Sequence, residues 1–299
     1  TFMMNRLMKY VLLLSGIFFL VGCVKENLDG CRKNFTLKLS YTGDSSLEII
    51  GDKIRNIRMY VFRPDDSHVT SFLVPEEELK AREVVLPELS KGSYRIVSVA
   101  NTDNTGITDP TVGDCDEISF ACSRHLAGGR TTSNDSLYYA STWIEVSDKL
   151  AEDAMVNFAS SHYKIYTEVV GIDPALLTRS NGGFRLELCG LLPETNFENQ
   201  VGGEPVTYYP ELGNYDPATK SCEARFNIMR HIDSSVVLTL FNQDNEIVVQ
   251  INLAEFLADH PDIDLTMNEV LIPISIRFKE VGVTITVPEW FIEEIDPEI

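Results

Sequence analysis

Six cysteines and five histidines are the residues of this chain best suited to metal, redox or nucleophilic chemistry, and their spacing supports none of the three. The cysteines stand at Cys23, Cys31, Cys115, Cys122, Cys189 and Cys222, with no CxxC pair to suggest a zinc ribbon or a thioredoxin site. His68, His125, His162, His231 and His260 all lie more than four residues apart, and there is no HExxH. A GxSxG elbow, a Walker A loop and a GxGxxG turn are absent too. Asp109, Asp114 and Asp116 share one loop, and Asp259, Asp262 and Asp264 another. Either group offers oxygen ligands to calcium, but neither has EF-hand spacing, and a solvated acidic loop is the reading preferred for both. Carboxylates are so numerous that sequence alone selects no pair at glycosidase separation. The expectation is a protein that is not an enzyme and has no cofactor and no metal.

The charge balance points the same way. Against 25 Lys and Arg stand 45 Asp and Glu, a formal net charge of −20 over 299 residues. Such a field repels phosphate backbones, so nucleic acid is not an expected partner. The length suggests two domains.

The N-terminus carries the most specific signal. Arg6 and Lys9 precede an apolar run at residues 10–21, YVLLLSGIFFLV. Twelve residues are too few to cross a hydrocarbon core, which needs about 20; a basic region before a short apolar one is the layout of a secretory signal. The run ends in Leu20-Val21-Gly22-Cys23, which resembles the lipobox of bacterial lipoproteins. The resemblance implies a signal peptide at 1–22, lipidation of Cys23 and a tether at 23–33. The acidic Lys25-Glu26-Asn27-Leu28-Asp29 stretch partly resembles a surface-export signal of Bacteroidota, and reads equally well as a solvated tether. Removing the signal also removes Arg6 and Lys9, which takes the net charge to −22. With Cys23 acylated, five cysteines remain in a compartment that permits disulfides. Cys115 with Cys122, and Cys189 with Cys222, are candidate pairs; buried thiols suit all four equally.

These residues need a scaffold, and the pattern of the chain is β. Phe35, Leu37 and Leu39 alternate with polar residues, as in a half-buried strand. Similar runs recur at residues 57–62, 93–100, 137–146, 162–170, 183–189, 224–228, 235–242, 246–252, 269–278 and 281–287. Gln243-Asp244-Asn245 reads as a hairpin turn, and residues 74–83 as a short helix entered at Pro75. Short strands separated by turn signals predict an all-β fold of sandwiches. The charged Ser147-Asp148-Lys149 segment suggests domains at 34–147 and 148–299.

In their order, several of these pieces resemble the anchor-subunit family of the type V fimbriae of Bacteroidales. They are the lipobox at Cys23, Cys31 shortly after it, Asn34-Phe35-Thr36-Leu37 and Ile57-Arg58-Met59-Tyr60-Val61-Phe62 before an Asp turn. Leu86-Pro87 follows, then Gly92-Ser93-Tyr94-Arg95-Ile96-Val97 to Asn101, and Val281-Gly282-Val283-Thr284-Ile285-Thr286-Val287 with Trp290. One departure is the Pro-Glu-Leu-Ser-Lys-Gly stretch before the tyrosine strand, where a tighter turn is expected. The resemblance implies two tandem transthyretin-like β-sandwich domains and a non-catalytic outer-membrane lipoprotein. Such a protein holds the base of a fimbrium, limits its length, and meets the fimbrial shaft subunits by donor-strand complementation, the addition of a strand to an open edge. It sits at the cell outer membrane, attached by acyl chains on Cys23.

Val281, Val283, Ile285 and Val287 recur at every second position and form a candidate donor strand, closed by Pro288; the same residues suit a last core strand. Trp290 and Phe291 suggest a contact patch or an aromatic pair at the edge of a core. Asp135-Ser136-Leu137 resembles a Bacteroidota O-glycosylation acceptor, which makes Ser136 the candidate site. Two other functions fit the same features. One is a carbohydrate-binding surface lipoprotein, for which 11 Tyr and 2 Trp are available. The other is a tip or adhesive fimbrial subunit.

Overall fold

The computed structural model describes residues 34–111, 113–173 and 183–291. The expected signal peptide and tether, with Cys23 and Cys31, lie outside the described residues. From Asn34 onward the chain forms one compact unit.

Strand β1 (Asn34–Ser40) buries Phe35, Leu37 and Leu39 and turns Lys38 to solvent, the period-two pattern seen in its sequence. Helix α1 (Ile50–Lys53), β2 (Ile57–Phe62), β3 (His68–Leu73), α2 (Glu76–Ala81), β4 (Glu83–Val85) and β5 (Gly92–Ala100) follow. As expected, α2 is entered at Pro75, and Arg82 at φ 59° ends it. Next come β6 (Thr105–Ile107), β7 (Ser119–Cys122), α3 (Ser123–Leu126), β8 (Tyr138–Val146), β9 (Ala151–Asn157) and β10 (Ala159–Ser160). The chain continues through β11 (His162–Val170), β12 (Arg185–Leu191), β13 (Glu194–Asn196), β14 (Val201–Gly202) and β15 (Val206–Tyr208). It then forms β16 (Ser221–Met229), β17 (Val237–Phe241), β18 (Ile247–Asn252), α4 (Leu253–Asp259), β19 (Leu271–Phe278) and β20 (Val283–Thr286). The fold is all-β. The expected turn at 243–245 joins β17 to β18 as an antiparallel hairpin.

Two sandwiches result. In the first, the sheet β4-β1-β9 faces the sheet β10-β8-β5-β2-β3 across Leu37, Ile57, Met59 and Ile96. In the second, β16-β11-β19-β20 faces β15-β12-β17-β18 across Ile165, Leu188, Leu240 and Ile274. A small fifth sheet, β14-β13-β7-β6, roofs the outer face of the larger first sheet over Tyr60, Phe62, Val97, Val99, Phe120 and Phe197. Strand β5 is therefore covered on both faces, which explains its nearly unbroken buried run.

The strand at 151–157 lies beyond the sequence-based divide at 147/148, yet it pairs in parallel with β1. Strand β10 pairs with β8 in the same sandwich. The charged 147–149 stretch is a crossing between two sheets of one sandwich. Its polarity suits the surface, where Lys91 Nζ lies 2.9 Å from Asp148, and marks no linker. The change of sandwich falls between β10 and β11.

In β12, Gly190 sits at φ +79° where the register against β15 shifts. A Cβ there would lie 2.2 Å from the Ser235 carbonyl oxygen, so only glycine fits the bulge. Cys115, Cys122, Cys189 and Cys222 form no disulfide. Burial pushes the Cys115 thiol up to about 12, which leaves it an unreactive small hydrophobe.

Candidate functional site

Strand β20 is an edge. It pairs antiparallel with β19 from Ser275 opposite Thr286 to Phe278 opposite Val283, and among the described residues its other side has no strand partner. Of the four candidate donor residues, Val281 is 91 % exposed in the turn before the strand, where Gly282 takes φ +83°. Val283 packs half-buried on the second core, and Val287 is buried in it. Ile285 stands 38 % exposed at the rim. The last strand among the described residues thus extends the chain's own sheet, with Val281 and Ile285 left exposed. Pro273, with no N–H to offer, falls on the stretch of β19 that β20 does not cover. Just beyond β20, Phe291 packs against the second core. Trp290 turns to the outer face of the sheet, its ring 5.5 Å from that of Tyr166.

Two polar centres, each partly shielded from water, tie separate parts of the fold together. Glu269, just before β19, takes Lys164 Nζ at 2.6 Å, Lys53 Nζ at 2.8 Å and the Tyr41 hydroxyl at 2.5 Å. Tyr41 and Lys53 belong to the first sandwich and Lys164 to the second. Burial alone would raise the Glu269 carboxyl, but these donors hold it down at about 2. The backbone N–H groups of Asn268 and Glu269 donate to the Asp44 carboxylate at 2.7 and 2.8 Å, closing the same junction.

Arg95 of β5 forms the second centre. Its guanidinium donates to the Phe197 carbonyl at 3.1 Å and to Glu198, with Nη2 to Oε2 at 2.9 Å, while Nε donates to Ser141 Oγ at 3.0 Å. The Tyr139 hydroxyl donates to the same Phe197 carbonyl at 2.6 Å. The turn after β13 is thereby clamped onto the first sandwich. His162 of β11 is buried as well: its Nδ1 meets the Leu137 carbonyl at 2.8 Å, and burial lowers it to about 4, so it is neutral at physiological pH. Neither Arg95 nor Glu269 stands out in the sequence, although an arginine inside an otherwise apolar strand was a usable signal.

Ser136 is half-buried just before β8, where its Oγ accepts from Asn227 Nδ2 at 3.2 Å. The acidic loops fold on themselves. Asp109 Oδ1 accepts from the Thr111 N–H at 2.9 Å, and Asp264 Oδ1 from that of Thr266 at 2.8 Å. Among the described residues, no three His, Cys, Asp or Glu side chains converge as a metal site.

Residues 28–296 match the sequence profile of the fimbrillin-A associated anchor proteins Mfa1 and Mfa2. The chain belongs to the Mfa2 family. Its fold agrees with this. The fimbrial anchor protein Mfa2 of Porphyromonas gingivalis superposes with a TM-score of 0.65 at 12% identity, over 85% of this chain and 97% of that one. A Bacteroides ovatus protein solved as a candidate adhesin gives 0.70 at 17% identity, over 88% and 96%. A Bacteroides thetaiotaomicron protein solved as a candidate polysaccharide-binding protein gives 0.68 at 17%, over 86% and 96%. No curated protein matches the chain in sequence. The Mfa2 family is one of structural, fimbria-associated proteins of the cell surface and is not a known enzyme family. The ordered short motifs had pointed to this family, and the profile spans nearly all of them.

Proposed function

We propose that the protein anchors the base of a fimbrium to the outer membrane and limits the length of the fibre. Membership of the Mfa2 family over residues 28–296 carries this reading. The lipid is placed on Cys23, because a basic region, a 12-residue apolar run and Leu-Val-Gly-Cys stand in lipoprotein order. Multiple acyl chains on one cysteine hold a protein to a bilayer durably, at about 0.8 kcal/mol per buried methylene. The contact with the fimbrial shaft is placed at β20. A four-residue strand bonded on one side only can accept a strand from another subunit or be exchanged for one, and exposed Ile285 offers an apolar anchor for register.

The Glu269 centre suits an element that carries load between fibre and membrane, since it ties the two sandwiches to one another. The test is made in cells. Cys23→Ser should release the protein from membranes and shed abnormally long fimbriae into the medium, as seen by electron microscopy. Ile285→Asp should leave the protein on the membrane but lose the fimbriae. Unchanged membrane association for the first variant, or normal fimbrial retention for the second, contradicts the corresponding half of the proposal.

A further inference from the structure

The outer face of the sheet β16-β11-β19-β20 carries a cavity of about 640 Å³, within the roughly 300–1,000 Å³ of small-molecule sites. Its floor is set by strand register. Tyr166 on β11 lies beside Arg225 and Pro273, and in the next outward row Glu168 lies between Glu223 and Ser275. Its wall is Trp290, brought over the face by the chain that leaves β20 at Pro288. A second cavity of about 220 Å³ shares Tyr166, Arg225 and Leu271 with the first and extends towards Lys164 and Asn227. The two together make an elongated groove.

The polar groups in it are held in place. Glu168 accepts from the Ser275 hydroxyl at 2.6 Å and from the Tyr166 hydroxyl at 3.1 Å. The Arg225 guanidinium lies 4.7 Å from the Tyr166 ring centre and 3.6 Å from Glu223. Arg277 lies 3.6 Å from Glu289 at the rim. Burial and the carboxylates of Glu223 and Glu168 push the Tyr166 hydroxyl up, so it remains a donor.

One feature works against folding. Glu168 and Glu223 are directly opposite on antiparallel strands, and like charges so placed destabilise a sheet. Their chemistry selects a ligand. Adjacent carboxylates repel anions such as phosphates. The two flanking guanidiniums oppose a bare cation. Five of its eleven lining residues are charged, which leaves an apolar peptide no continuous face to bury against. What remains is a neutral polyol, with C–H faces for an aromatic wall and neighbouring hydroxyls for planar carboxylate and guanidinium groups.

We propose that this groove binds a neutral glycan, its sugar face resting on Trp290 and its hydroxyls held by Glu168, Glu223 and Arg225. The groove goes beyond the anchoring role, and because its wall follows β20 directly it is complete while β20 stays paired with β19.

The test uses the detergent-solubilised full-length protein on a broad glycan array. It is followed by saturation-transfer NMR with the best array ligand, or with lactose, cellobiose and chitobiose if the array is blank. Binding is expected to weaken at least tenfold in Trp290→Ala and in Glu168→Gln, with no change in Trp143→Ala, at the chain's other tryptophan, which is exposed on the first sandwich. If Trp290→Ala fails to fold, Glu223→Gln replaces it and should weaken binding by a similar factor. A wild-type protein with no array signal and no saturation transfer overturns the proposal. So does binding unaffected by all of these groove variants, or groove binding of a fimbrial peptide in place of sugars. None of these outcomes bears on the membrane-release test of Cys23.

Discussion

In the first sandwich, the outer face of the larger sheet is roofed by β7 and β13, and its central strand β5 is buried on both sides. In the second, the equivalent outer face carries no further sheet among the described residues and is cut by a groove, and the sheet ends in the short edge strand β20. The cores themselves are alike, built from Leu, Ile, Val and aromatic side chains at alternating positions. What differs is the outside. The first sandwich gives its outer face to a third layer, while the second, among the described residues, leaves an edge strand and a grooved face uncovered.

The comparison can be broken first at the roof. Arg95→Ala removes the guanidinium that holds Phe197 and Glu198 and should cost about 3 kcal/mol. That is the low end for breaking a buried ion pair, since Glu198 is 39% exposed and can rehydrate. Arg277→Ala, which removes the rim pair with Glu289 on the second sandwich, should cost less than about 1 kcal/mol. Urea midpoints measure both, and equal losses would erase the contrast.

Next in size is a pH effect at the junction. His162 has a folded-state pKa of about 4 against an ordinary 6.5, so the unfolded chain binds its proton first. Stability from this group is complete above pH 6.5 and falls as pH drops towards 4, by on the order of 3 kcal/mol. Glu269, held at about 2 against 4.5, adds a loss between pH 4.5 and 2, again from the folded state releasing what the unfolded state binds. His162→Gln should flatten the upper part of the profile. A wild-type urea midpoint constant from pH 7 to pH 4 would contradict this.

The smallest expected effect lies at the edge. Ile274→Ala, at a fully buried site, should cost about 2–5 kcal/mol, whereas Ile285→Ala, on half-bare β20, should cost under about 1 kcal/mol. A large loss at Ile285 would make β20 a core strand like any other.

Much of the fold was written in local pattern. The alternation of Phe35, Leu37 and Leu39 gives β1, Pro75 gives the start of α2, and Gln243-Asp244-Asn245 gives a hairpin, because each depends on residues a few positions apart. Long-range pairing left no such mark. The parallel partner of β1 lies at Ala151–Asn157, past a charged stretch that reads as a boundary. The roof joins β7 to β13, which lie in the sequence between strands of different sandwiches, and no periodicity announces it. At the site, the value-spaced run at 281–287 and the aromatics after it were visible as candidates. Which of them face the core and which stand free depends on the turn at Gly282 and on the register against β19. Glu269 was one carboxylate among 45 Asp and Glu, and only folding brings Lys53, Lys164 and Tyr41 to it.

The second sandwich is the proposed face toward the fimbrium. A photo-crosslinking amino acid placed at position Ile285 in living cells tests this most directly, with the same group at exposed Trp143 of the first sandwich as the control. The expected result is a covalent adduct with a fimbrial shaft subunit from position 285 and none from position 143. An adduct from position 143 alone, or from neither position on fimbriated cells, would contradict it.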